Sequence, residues 1–213
     1  RESESSIMSG AFPISSAAFE TLGIKTIQPT IISKTDSGKR LTRQIQGQRF
    51  AFTASIITAK RSDVYGELMA FIMKQRSSKE NFTIIPPELE DARGVESGTL
   101  LVNGSHTSGD TTIAIDGFAS DTANRLRAGD FIKFNGHTKV YMVVADVTSS
   151  SGAATVTIEP PLVSSLSDDE AVTYDNVPFT VHLTNDIQEF GAIGADKDGN
   201  LLYKFEFDVE ESL

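Results

Sequence analysis

The sequence predicts a mainly β protein with one α-helix, in which a small β-barrel meander is inserted into a discontinuous first β domain. Three observations predict this. The stretch Ala128–Pro161 (AGDFIKFNGHTKVYMVVADVTSSSGAATVTIEPP) alternates turn signals with runs rich in β-branched and aromatic residues. The segments Thr42–Thr58 and Leu201–Val209 each carry apolar residues at every second position, the mark of a strand with one packed face. Ser62–Arg76 alone has a helical stripe.

In the meander, Gly129-Asp130 and Asn135-Gly136 read as turns. Phe131–Phe134, Lys139–Val147 and Ala154–Glu159 read as strands, with Phe131, Ile132, Phe134, Val140, Met142 and Val144 as packed positions. Pro160-Pro161 ends the last of them, because proline cannot donate to a ladder. Thr99–Val102 and Thr111–Asp116 add two short strands, and Ser120–Arg127 is expected to form a turn or two of helix. Gly94–Tyr174 thus holds about five strands, a pattern that fits a small Greek-key barrel of the OB type.

The flanks are read in order. Residues 1–23 are rich in Ser, Ala and Gly and form a candidate docking arm. Gly23–Ser33 is a strand interrupted at Pro29. Ser33–Leu41 is a polar hairpin tip, and the flanks of that tip are expected to pair further than packing alone requires. Phe50, Phe52, Ala54 and Ile56 form the packed face of the long return strand. In the helix, Val64, Leu68, Phe71 and Ile72 form the stripe with Tyr65 and Met69 on its shoulder, and Ser62 is the expected cap. Asn81–Ile85 is a short strand, and the acidic Glu88–Gly98 is a loop at the domain boundary. Val177, Phe179, Val181 and Leu183 share one face of a further strand. Asp186–Asn200 reads as an acidic loop broken by glycines. The last strand sets Leu201, Tyr203, Phe205, Phe207 and Val209 against Leu202, Lys204, Glu206 and Asp208. Such a strand needs a sheet, and the N-terminal strands supply it. The resulting division is 1–90 with 176–213 as the first domain and 91–175 as the insert.

A chain of 213 residues with 39% hydrophobic content suffices for one large or two small cores. No apolar run approaches the ~20 residues of a membrane-spanning helix. Arg1–Gly10 lacks the apolar middle of a signal peptide. The first residue is Arg1, so the numbering is expected to start after processing or trimming. The absence of cysteine excludes disulfides and thiolate metal sites. The net charge of −10 argues against gripping a phosphate backbone and is equally what simple solubility requires.

Catalytic and metal-binding patterns are weak. His106, His137 and His182 show no ligand spacing, and no nucleophile elbow, P-loop or dinucleotide fingerprint occurs. Asp168, Asp169 and Glu170 have the composition of a glycosidase acid/base pair, but neighbouring loop carboxylates are usually solvated turn residues. Asp196–Asn200 (DKDGN) lacks the twelfth-position glutamate of a calcium loop and reads as a hairpin turn. The expectation is therefore no catalytic residue, no cofactor and no metal. Lys34, Lys39, Arg40 and Arg43, with Asp36 among them, cluster at the hairpin tip. They suit an acidic neighbouring subunit better than a nucleic acid.

These residues resemble the short form of the distal tail protein (Dit) family of long-tailed bacteriophages. SGKRLTRQIQGQRFAFTASI is similar to that family's second hairpin strand, and the helix at Val64–Arg76 matches its single helix in position. AGDFIKFNGHTKVYMVV, the SSSG turn and EPPL resemble its inserted OB-like domain, and the closing ESL is similar too. The resemblance implies a tail-tube-like β-sandwich that assembles as a homo-hexameric ring with the inserted domains outward. It implies a virion protein, made in the host cytoplasm, that joins the tail tube protein to the baseplate hub or tail tip protein. The tape measure protein is a further candidate neighbour, and DNA passes through the channel without specific binding. The hairpin would be an inter-subunit arm carried by Lys34, Asp36, Lys39, Arg40 and Arg43. An acidic lumen would repel DNA, with Asp186, Glu189, Asp196, Asp198 and Glu206 as candidates to line it. The rival readings are a carbohydrate-binding module at Gly94–Tyr174, another tail ring subunit (tube or terminator), and, least favoured, a glycan-degrading enzyme using Asp168–Glu170.

Overall fold

The computed structural model describes residues 8–45 and 47–213; the first seven residues of the candidate docking arm lie outside them. The strands are β1 (Met8–Ala11), β2 (Phe19–Ile27), β3 (Thr30–Lys34), β4 (Arg40–Gln44), β5 (Arg49–Lys60), β6 (Asn81–Ile84), β7 (Leu101–Val102) and β8 (Thr112–Asp116). They continue as β9 (Phe131–Phe134), β10 (Val140–Val143), β11 (Ala153–Glu159), β12 (Val172–Thr173), β13 (Phe179–Leu183), β14 (Phe190–Ala195) and β15 (Leu201–Glu211). The helix is α1 (Gly66–Lys74). The chain divides into two compact units, Arg1–Thr83 with Thr180–Leu213, and Ile84–Phe179.

The first unit is built on a seven-stranded sheet of order β1-β6-β13-β15-β5-β2, with β14 also paired to β15. Period two decides its faces. Phe205, Phe207 and Val209 of β15 lie level with Ile56, Ala54 and Phe52 of β5, and all six are buried. Aromatic rings fill the space above them. Phe12 stacks 5.3 Å from Phe207 and meets Phe71 of α1 edge-on at 5.8 Å. Phe205 stacks 4.3 Å from Phe190.

The helix starts differently from its sequence signature. Arg61–Tyr65 forms a wide π-type turn, in which the Gly66 N–H donates to the Arg61 carbonyl. A Cβ on residue 66 would come within 2.9 Å of that oxygen, so glycine permits the widening. The Ser62 hydroxyl bonds Asp63 and does not cap the helix. The wide turn also rotates the stripe, so that Tyr65, Leu68 and Ile72 are its buried members in place of Val64. The helix stops where Arg76 and Ser77 take positive φ (53° and 68°).

The second unit is a small antiparallel barrel of order β12-β9-β10-β11-β8-β7. Leu101 bridges Ala171, and the Val172 N–H donates to the Leu100 carbonyl at 2.9 Å, which draws β7 and β12 together. The barrel thus has six strands where the sequence suggests about five. Its interior includes Ile113, Ile115, Ile132, Phe134, Tyr141, Val143, Val156 and Ile158. Two expectations are corrected here. Tyr141 and Val143 face inward, whereas Met142 is half-buried and Val144 exposed, because Tyr141 lies opposite Ile132 in the β9–β10 ladder. Ser120–Arg127 forms no helix: Arg125 and Leu126 of this segment are tied to Val147 by backbone bonds and buried.

Candidate assembly surfaces

Four strands of the first unit, β14-β15-β5-β2, form a strip in which every neighbouring pair is antiparallel. At either end of the strip, β14 pairs only with β15 and β2 only with β5 among the described residues. Each therefore presents an open row of backbone donors and acceptors. The sequence assigns β14 to a loop, since FGAIGA carries two glycines and no long β-branched run. The backbone pairs nonetheless, and four of the six residues are exposed.

One face of the strip is the aromatic core and the other is polar. Glu206, Ser55 and Thr21 lie in one row across it, and Asp208, Thr53 and Gly23 in the next. Lys25 donates to Thr53 Oγ1 at 2.8 Å, and Lys204 bridges Glu20 at 3.0 Å and Glu206 at 3.5 Å. Lys204 is held above its usual pKa by Glu20, through a hydrogen bond and its charge.

Beyond the β2–β5 ladder the hairpin continues as β3 and β4, paired from Thr30↔Gln44 to Lys34↔Arg40. Pro29 breaks the strand between the two ladders, and the Ile45 N–H donates to its carbonyl. All ten residues of β3 and β4 are exposed, with Ile31 and Ile32 at 54% and Leu41 at 48%. Lys34 and Arg40 sit opposite each other, Arg43 lies across from Ile31, and Asp36 and Lys39 occupy the Thr35–Lys39 tip. The five residues singled out at the hairpin thus share one exposed ribbon.

The acidic candidates separate. Glu206 lies on the polar face of the strip and Glu189 is exposed just before β14. Asp186 accepts from the hydroxyls of Ser77 and Ser78, which hold its carboxyl below the usual range. Asp196 bonds Lys60 at 2.5 Å and accepts from the N–H groups of Asp198 and Asn200, closing the β14–β15 turn. Lys60 first, and then Asn200, hold the Asp196 carboxyl well below its ordinary value. A depressed carboxyl contributes stability above its unfolded pKa of about 3.9 and loses it as pH falls through the folded value. Hydrogen exchange at the Asp198 and Asn200 amides is therefore expected to quicken only as pH drops below about 4. Asp196→Asn should abolish that dependence, and a transition at or above the ordinary carboxyl value would contradict the assignment.

The remaining chemical candidates have structural partners. His106 Nε2 accepts from the Ala114 N–H, His137 meets the Tyr141 hydroxyl at 3.4 Å, and His182 meets the Ser212 hydroxyl at 2.8 Å. Asp168 accepts from the Gly104 N–H and Glu170 from the Ser167 N–H, as turn carboxylates do. Among the described residues no group of three or more His, Asp and Glu side chains could hold a metal ion. No helix among the described residues is long and apolar enough to cross a membrane.

Two β units, one a small barrel and the other a sheet with open edges, define a structural β protein whose surfaces suit assembly. Residues 90–177 match the family described as distal tail protein pb9, B domain. That match spans less than half of the chain and supports its assignment to the phage distal tail proteins, with a structural role in the virion tail. No curated protein matches the chain.

Proposed function

We propose that the first unit closes into a ring, as a homo-hexamer, that connects the tail tube to the baseplate hub or tail tip and lets DNA pass. The alternating strip with two open edges carries this reading. Strand directions alternate along β14, β15, β5 and β2. When the β2 edge of one copy meets the β14 edge of the next, that pair is also antiparallel, and the repeat closes by rotation alone. Phe190 and Phe19 lie in one row through Phe205 and Ile56, from which β14 and β2 run in opposite senses. Overlap of the two edges then needs tilted strands, as any closed barrel does. With the apolar face covered by α1 and its aromatic cluster, the polar face carrying Glu206 and Asp208 lines the channel. Carboxylates there repel the phosphate backbone. Tape measure protein is a further neighbour on this reading.

The glycan reading of residues 94–174 has no specific observation in its favour, since Phe118, Phe131, Phe134 and Tyr141 are all buried.

The cysteine-free chain allows a direct test. Gly23→Cys is combined in turn with cysteine at each position from 191 to 195, and assembled tails are oxidised and run without reductant. Within one copy β2 and β14 are three strand spacings apart, about 14 Å, beyond the reach of a disulfide. Covalent multimers are expected at one register of the scan. Monomers at every position would overturn the ring.

A further inference from the structure

We propose that the β3–β4 ribbon of one copy seats on the neighbouring copy's segment Asn185–Glu189, with Ile187 against Ile31 and Leu41 and Glu189 against Arg43. This rests on the ring reading and assigns the receptor for its arm. The ribbon's two faces follow from its register. Ile31 and Arg43 are directly opposite, as are Ser33 and Leu41 two pairs further on. Both pairs therefore lie on one face, because alternate pairs share a side. That face carries two large apolar side chains beside a guanidinium, and every residue of it is exposed. A ribbon with no packing of its own gains nothing from its isoleucines within a single copy, since a lone two-stranded hairpin is marginally stable in water.

The receptor follows from strand direction. β2 runs toward the ribbon, and β14 runs the opposite way, so the end of β14 nearest the ribbon is its start at Phe190. Residues 185–189 lead into that start. Ile187 is 86% exposed, the highest value among the large apolar side chains of the described residues, and Glu189 is exposed beside it. Asp186 is already engaged with Ser77 and Ser78, which anchors the segment and leaves Ile187 and Glu189 to project. The charges are complementary: the ribbon and its tip hold Lys34, Lys39, Arg40 and Arg43 against Asp36 alone, and the receptor is acidic. An apolar pair flanked by an ion pair fixes register as well as affinity.

The test uses Ile31→Cys with Ile187→Cys in the full chain, oxidised in assembled tails beside the Gly23 edge series. Covalent multimers from the Ile31/Ile187 pair are the expected result. Multimers from the edge series with monomers from this pair would overturn the receptor while leaving the ring intact. Monomers from both would overturn the two together. Charge exchange supplies a second readout at exposed positions. Arg43→Glu or Glu189→Arg alone should weaken assembly by about a few-fold per interface, and the combined variant should recover it. Failure of the combined variant to recover would also overturn the pairing.

Discussion

Replacing Glu96 by alanine is expected to destabilise the barrel unit by about 3–5 kcal/mol, the cost of stranding one partner of a buried ion pair. The Glu96 and Arg125 side chains are 0% and 4% exposed, and the Arg125 Nε–H donates to Glu96 Oε2 at 2.6 Å. The other carboxylate oxygen accepts from the N–H groups of Ser97, Gly98 and Ala119. Alanine would therefore leave a buried guanidinium and three backbone donors without their acceptor. Gly94 and Gly98 make the arrangement reachable. A Cβ at residue 94 would lie 2.1 Å from the Arg125 carbonyl oxygen, and one at residue 98 would lie 2.2 Å from that of Gly117. Burial alone pushes the Glu96 carboxyl up, but the N–H donors and Arg125 hold it below its usual value. Its contribution is thus complete above the unfolded pKa of about 4.3 and fades as pH falls through the folded one. Urea denaturation of the full chain, with hydrogen exchange read at the barrel amides, measures the loss. A loss under about 1 kcal/mol would contradict it, and replacing both partners by apolar residues should cost less than Glu96→Ala.

Glu96 also shows where sequence reasoning stops. RGVESG reads as a solvated acidic loop, because nothing local reveals that Arg125 lies 29 positions on and folds back over it. Alternating strands were legible for the opposite reason. In β15 and β5 the side-chain period is itself the signal, and the buried faces follow from it. The β9 strand was legible in position and in its packed residues, whereas β10 was legible in position but only partly in phase. Val140 is buried as expected, but so are Tyr141 and Val143, while Met142 is only half-buried and Val144 exposed, and it is the ladder to Ile132 that turns Tyr141 inward. β14 was invisible, since its glycines oppose strand propensity and only the pairing with β15 holds it extended. The basic tip and the exposed ribbon could be read as a candidate surface from residue type. The open edges could not, because an edge is a property of the sheet order, and strand order is not written in any single segment.

That dependence on sheet order yields the second large effect. Successive N–H groups along an antiparallel edge strand alternate, one directed at the existing partner and the next directed outward. Gly191 and Ala192 are consecutive in β14 and lie opposite Lys204 and Tyr203, so one of the two N–H groups points away from β15. Proline at that position removes an outward donor and tolerates an edge location, whereas proline at the other removes a bond to β15. Of Gly191→Pro and Ala192→Pro, one is expected to unfold within about 1 kcal/mol of the parent and the other to lose the β14–β15 hairpin. The stable variant should still fail to assemble. Losing that edge hydrogen bond, at ~1 kcal/mol, weakens every contact by about fivefold. In a closed ring that loss recurs at each interface, so particle imaging should find tails without a completed distal ring. The comparison separates two demands on β14, since folding uses one row of its backbone groups and the proposed ring would use the other. Normal tails from both variants would show that the β14 edge takes no part in closure.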